Sequence, residues 1–165
     1  MCMDSFDSFY KTGLRFSCTK CSRCCRGTPG VVFLTENDLS RLCGWAQLSR
    51  EQFVQLYCHW IENEQGEEIL SLRELQNYDC IFWKAGIGCE AYEARPVQCR
   101  TYPFWSQLLK DRAAWEHEKY RCPGLDSGAF HAESEIEAVR NCHEEQKREF
   151  IKRPKFRKSM QDSVD

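Results

Sequence analysis

Cys18-Thr19-Lys20-Cys21-Ser22-Arg23-Cys24-Cys25 places four thiols in eight residues. Thiolate is a soft ligand that suits zinc, copper(I) and iron–sulfur clusters. Three cysteines at this two-residue spacing can converge on one centre without a distant segment. The adjacent pair is different. Neighbouring Cα atoms are about 3.8 Å apart, and consecutive side chains diverge in extended backbone. The spacing therefore leaves open which of Cys24 and Cys25 faces the main centre. The run predicts a metal-binding chain whose fold is organised by that metal.

The composition points the same way. Leu, Ile, Val and Phe make up about a fifth of the 165 residues, thin for a chain of single-domain length. Five Trp and six Tyr offset this only in part, and twelve cysteines are the candidates for what ties the fold together. Met1-Cys2-Met3-Asp4-Ser5-Phe6-Asp7 carries acids where a signal peptide needs positive charge, with no apolar segment behind them. No stretch approaches about 18 consecutive apolar residues. These features predict a cytoplasmic chain without a membrane span, with reduced thiols that bind metal rather than a disulfide framework. A net charge of −2 argues against general affinity for polyanions, and nucleic acid is not an expected partner. The charge is uneven, however: Lys147, Arg148, Lys152, Arg153, Lys155, Arg157 and Lys158 are interrupted by one acid, Glu149. This basic run reads as a solvated helix end and tail, through which a protein partner could bind.

Local signals predict short elements of both kinds. Val31-Val32-Phe33-Leu34 is a short apolar run with strand character. Thr35 is placed to cap a helix carrying Leu39, Leu42 and Cys43 inward. Ser49-Arg50-Glu51-Gln52 is a capping box that opens a second helix with Phe53, Leu56, Tyr57 and Trp60 on one face. Cys43 and Cys58 fall on these patterns as small core residues. Residues 69–75 suit a strand or a short helix, and 84–89 a hairpin or tight loop. Pro96 opens a short helix that Pro103 ends. Residues 105–109 and 115–120 suit a strand pair. Ser134-Glu135-Ile136-Glu137 reads as a capping box for a helix running to about Lys152, where Pro154 stops it. The four histidines show no metal-ligand spacing, and Gly86-Ile87-Gly88-Cys89-Glu90-Ala91 is a turn rather than a dinucleotide fingerprint.

A metal site usually takes ligands from more than one segment, and the middle of the chain supplies Cys80, Cys89, Cys99 and Cys122. Cys80 stands alone. Cys89-Glu90-Ala91-Tyr92-Glu93-Ala94-Arg95-Pro96 leads to Cys99-Arg100 and Tyr102-Pro103-Phe104, and Cys122-Pro123-Gly124 follows. With Phe16-Ser17-Cys18-Thr19-Lys20-Cys21, Cys24-Cys25-Arg26 and Leu34-Thr35, these pieces resemble the YkgJ-type cysteine-cluster family, a C-x2-C-x2-C-C domain described as zinc- or iron-chelating. The quoted motifs span residues 14–128. Two positions depart from the pattern: Ser22 stands at a frequent glycine, and Ile81 follows Cys80 where proline is frequent. Neither removes a cysteine.

The candidate metal ligands are thus Cys18, Cys21, Cys24, Cys25, Cys80, Cys89, Cys99 and Cys122. They suit two four-thiolate sites, or one cluster with spare thiols. Tetrahedral zinc and an iron–sulfur cluster both fit. Iron–sulfur is slightly favoured, because the second half lacks the paired knuckle of structural zinc sites. Lys20, Arg23, Arg26, Arg100 and Arg121 lie near candidate ligands, where positive charge favours thiolate. The resemblance implies that Arg95, with Arg100, supports the site from behind the ligands.

The expected architecture is α+β: a small, irregular, metal-organised single domain with several short helices and strands and a C-terminal helix. Its expected parts are a loose lead-in (1–13), the cysteine-cluster domain (14–128), the C-terminal helix packed on it (129–153) and a basic, polar tail (154–165). The expected function is metal binding at a structural or redox centre. The same module occurs in flagellin lysine N-methylases, so an iron–sulfur enzyme of protein modification is an alternative. A nucleic-acid- or protein-binding module using the basic tail is a third. Catalysis, and with it any catalytic residue, is left open by the sequence.

Overall fold

A computed structural model describes residues 8–154. It is a mixed α+β domain whose described elements run β1 (Leu14–Phe16), α1 (Glu36–Ala46), α2 (Arg50–Tyr57), β2 (Cys58–Glu62), β3 (Glu68–Leu72), β4 (Trp83–Lys84), β5 (Gly88–Cys89), α3 (Val97–Thr101), α4 (Arg112–Glu118), β6 (Leu125–His131) and α5 (Glu133–Lys147). The strands form three antiparallel pairs, β1 with β6, β2 with β3 and β4 with β5. Sheets this small cannot form a layer, so hydrophobic burial is left to two separate clusters.

The first cluster gathers Leu34, Leu39, Leu42, Phe53, Leu70, Leu72 and Phe82. Cys58 is buried in it and Cys43 packs against it, as the sequence patterns predict. Both expected helix caps form here. The Thr35 hydroxyl accepts from Asp38 N–H at 3.1 Å, and the Ser49 hydroxyl from Gln52 N–H at 3.3 Å. The residues 31–34 run beside β3, with Leu34 N–H on Leu70 O at 3.0 Å and Leu72 N–H on Val32 O at 3.0 Å. The second cluster gathers Tyr10, Leu14, Phe104, Leu109, Trp115, Leu125 and Ile136. Tyr10 is buried there and donates to Glu137 Oε1 at 2.5 Å, so this part of the lead-in is packed.

Four local expectations are corrected. Residues 112–118 are helical rather than part of a strand pair: Asp111 accepts from Ala114 N–H at 2.7 Å, and two alanines favour the helix that buries Trp115. The second helix stops at Tyr57, and Trp60 lies in β2 opposite Leu70. Pairing with β3 there overrides a helical period that continues in the sequence. The last helix starts one turn edge earlier than its apparent box. Ala132 N–H donates to Glu135 Oε2 at 2.9 Å, so Glu135 caps from position N3. That helix also ends at Lys147 rather than near Lys152.

Beyond Lys147 the chain returns to the first cluster. Ile151 N–H donates to Leu34 O at 2.9 Å, Leu70 N–H to Ile151 O at 2.9 Å, and Arg153 N–H to Glu68 O at 2.8 Å. The basic run is partly neutralised on the way: Lys147 pairs with Glu144, Lys152 with Glu67 and Arg153 with Glu68, each at 2.8 Å. Residues 155–165, which hold the rest of that run, lie outside the described residues.

Asp38, 1 % exposed, joins α1 to α3. Its Oδ2 accepts from the Thr35 hydroxyl at 2.9 Å, and its Oδ1 from Val97 N–H at 2.9 Å. Asp38→Ala strands these buried donors and is expected to cost about 3 kcal/mol, read as a lower urea midpoint; an unchanged midpoint would show that the carboxylate is not the bolt.

Cys58 provides a second test. Burial pushes its thiol up to about 12, whereas an unfolded thiol titrates near 8.5. The folded state therefore holds the proton more tightly. The associated stability is complete below about 8.5 and is lost as pH rises toward the folded value. Cys58→Val is expected to flatten the alkaline fall in unfolding free energy by a few kcal/mol across that window; parallel slopes in variant and parent would contradict it.

Candidate metal centre

The cysteine run bridges the two hydrophobic clusters. It leaves β1 on the second cluster and reaches residue 31 beside the first. Between them it coils tightly: Lys20 and Ser22 take left-handed φ values of 54° and 62°, and Cys25 N–H closes on Ser22 O at 2.9 Å. A left-handed residue at position 22 is the physical reason that glycine suits this place in the family pattern. Arg23–Cys25 then forms one 3-10 turn.

Two devices hold the coil. On the first cluster, Cys80 N–H donates to Cys25 O at 2.7 Å. Asp79, 4 % exposed, accepts from Gly27 N–H at 3.2 Å and lies 3.9 Å from the Arg26 guanidinium, which stacks 4.1 Å from the Trp83 ring centre. On the second cluster, Ser17 N–H donates to Gly124 O at 3.3 Å. A Cβ on Gly124 would lie 2.3 Å from the Ser17 carbonyl oxygen, so only glycine lets the start of the run approach Cys122.

The eight predicted cysteines line three neighbouring cavities. A front cavity of about 300 Å³ is lined by Cys24, Cys25, Cys80 and Cys99. An inner one of about 210 Å³ adds Cys18 and Cys89 to those four. An outer one, also about 210 Å³, is lined by Cys18, Cys21, Cys24, Cys99 and Cys122. Cys24 and Cys99 line all three, and the Cys24 and Cys25 sulfurs are 3.7 Å apart. The thiols share cavities rather than a finished coordination shell: among the described residues, no three Cys, His, Asp or Glu side chains are grouped closely enough to hold an ion as they stand.

The surroundings of the sulfurs suit thiolate. Backbone N–H groups two residues ahead point at three of them, from Phe82 to Cys80, from Ala91 to Cys89 and from Gly124 to Cys122. Such donors stabilise sulfur anions and tune metals bound to them. Burial acts in the opposite direction. It pushes the thiol of Cys80 up to about 11, and it raises those of Cys89, Cys99 and Cys122 as well. Cys24 is drawn down to about 6, chiefly by its hydrogen bond with Cys25, with Arg121 and Arg95 adding to the effect. Cys25 is raised, first by the same bond and then by burial and by Cys24, Cys99 and Cys80.

Arg95 lies among the cysteine-lined cavities. It donates to Tyr92 O at 2.7 Å, its guanidinium lies 3.5 Å from the Tyr92 ring centre, and it lines the inner and outer cavities. Its charge lowers Cys24, Cys89 and Cys99. Arg100 lines the outer cavity while facing Asp38 at 3.8 Å. Other contributors carry no metal signature in the sequence. Asp79 and Asp38 act through distant backbone groups. Tyr102 donates to Glu118 at 2.7 Å and lies against Cys122. Lys20 stacks on Tyr92 at 4.8 Å from the ring centre. Cys43, Cys58 and Cys142 line none of the three cavities, and Cys2 lies outside the described residues.

These features define a cysteine-cluster domain, an α+β scaffold built around a junction of thiols. The chain belongs to the CxxCxxCC family: residues 17–156 match its model, described as "Putative zinc- or iron-chelating domain". The match runs through α5, beyond residue 128 where the recognisable motifs end. A relative from Methanocaldococcus jannaschii, "Uncharacterized protein MJ0661", is 28% identical over 130 residues, covering 76% of this chain. The aligned part spans 66% of that relative's length. No solved structure matches the chain. Among the described residues no helix is long and apolar enough to cross a membrane.

Arg95→Gln removes a positive charge that favours three thiolates. It is expected to move the pH midpoint of zinc uptake upward by roughly half a unit. An unchanged midpoint would reduce Arg95 to a packing residue.

Proposed function

We propose that this chain is a metal-binding protein in which Cys18, Cys21, Cys24, Cys25, Cys80, Cys89, Cys99 and Cys122 are the ligands. The observation that carries this reading is their meeting at one junction: a run and four single cysteines, drawn from across a hundred residues, line three neighbouring cavities. The donor set fits zinc or an iron–sulfur cluster. Iron–sulfur is the preferred reading, because the run opens like a ferredoxin motif and the second half lacks a paired zinc knuckle. Bound metal would supply the attraction that closes the junction and, as iron–sulfur, one-electron chemistry. The protein's own groups do the rest: amides directed at sulfur, Arg95 and Arg121 offsetting negative charge, and Asp38 and Asp79 fixing the segments that carry Cys99 and Cys80.

One observation favours a second reading, an iron–sulfur enzyme of protein modification similar to flagellin lysine N-methylases. The front cavity opens directly onto Cys24, Cys25, Cys80 and Cys99, with Trp105 and Tyr102 in its wall. Its size is within the usual range for a small-molecule site.

The test is anaerobic purification, metal analysis and a visible spectrum, followed by circular dichroism of the loaded and metal-stripped protein. A broad visible charge-transfer absorption with iron and sulfide is expected, and a colourless zinc protein would remove iron–sulfur from the reading. Because a structural metal contributes roughly 10–16 kcal/mol in small domains, the stripped protein is expected to lose most of its ordered signal. A protein purified without bound metal would overturn the proposal, and identical spectra and melting with and without metal would remove its structural role.

A further inference from the structure

The adjacent pair Cys24-Cys25 holds the key to how many centres the junction forms. Three cysteines line the front or inner cavities but not the outer one: Cys25, Cys80 and Cys89. Of these three cavities, Cys21 and Cys122 line only the outer one. The remaining three, Cys18, Cys24 and Cys99, border both sides.

Chain geometry divides the shared three. Cys18 is one C-x2-C step from Cys21, the spacing at which two thiols chelate one ion. Cys99 lies on α3, whose first turn is bolted by Asp38 to α1 on the first cluster. Cys25 is held to Cys80 by a 2.7 Å backbone bond, and Cys89 sits opposite Trp83 in the β4–β5 pair three residues beyond Cys80. Cys25, Cys80, Cys89 and Cys99 are thus tied to segments of the first cluster. Cys122 belongs to the second cluster, and Cys18, Cys21 and Cys24 line the outer cavity with it.

Resting on the metal-binding reading above, we propose that the junction holds two four-thiolate centres rather than one cluster with spare thiols. One is formed by Cys25, Cys80, Cys89 and Cys99. The other is formed by Cys18, Cys21, Cys24 and Cys122. In this division the consecutive residues Cys24 and Cys25, whose sulfurs are 3.7 Å apart, serve different centres. Each hydrophobic cluster then carries its own centre, and Arg95, which lines both small cavities, lies between them.

Cobalt(II) titration of the intact stripped chain reads the number of sites directly, through the thiolate-to-cobalt absorption gained per equivalent. Growth to two equivalents is expected. Saturation at one equivalent overturns the division while leaving metal binding intact, and no uptake overturns both. Pairing of substitutions then reads membership. Cys80→Ser alone is expected to halve the bound cobalt. Adding Cys25→Ser leaves that half in place, whereas adding Cys24→Ser removes it. Equal losses from the two combinations would place Cys24 and Cys25 on one centre. Because the two combinations share the Cys80→Ser background and differ by a neighbouring residue, a general folding defect predicts equal losses too and counts against the division.

Discussion

Eight thiols occupy the gap between two small hydrophobic clusters, and their mutual repulsion once ionised is the constraint on which the rest of the structure depends. Burial raises Cys80, Cys89, Cys99 and Cys122, so without a cation these sulfurs keep their protons. A metal bound there would replace those protons and turn repulsion into attraction. Neither cluster is large, and the described strands are two to seven residues long. A junction strengthened by metal would add the stability that the thin core lacks.

Order around the sulfurs comes from ordinary backbone chemistry. Asp79 and the Cys80 amide seat one end of the cysteine run, and Gly124 admits the other. Asp38 fixes the short helix that presents Cys99, and i+2 amides face three sulfurs. Each of these contacts fixes a segment whose thiol borders one or more of the three neighbouring cavities. That is the usual division of labour in metal sites, in which surrounding hydrogen bonds orient the ligands. The match to the CxxCxxCC family runs to residue 156 and so includes α5.

The sequence discloses the parts of this design that are local. The caps at Thr35 and Ser49 were legible because a capping box is complete within four residues. The run at residues 18–25 stands out because four thiols fall within eight residues, whereas Cys80, Cys89, Cys99 and Cys122 are widely spaced and stand out only beside the family motifs. What escaped depends on distant partners. Trp60 continues a helical period, but β3 claims it. Trp115 and its neighbours read as a strand until the Asp111 cap is seen at work. Asp38 and Asp79 resemble any exposed acid in the sequence, since their partners Val97 and Gly27 lie 59 and 52 residues away. The apparent box at Ser134 failed by a smaller margin: its Glu135 does cap, but for Ala132.

The return of residues 150–153 to β3 bears on how the protein is made. Among the described residues β1 pairs with β6, more than a hundred residues later. The first cluster in turn is complete only when Ile151 reaches Leu34 and Leu70. During synthesis neither cluster can close until β6 and Ile151 have emerged, each more than a hundred residues after the earliest segment it meets, although domains generally fold from the N-terminus as they emerge. The cysteine run therefore emerges well before the segments that enclose it, and its thiols stand open to solvent through that interval.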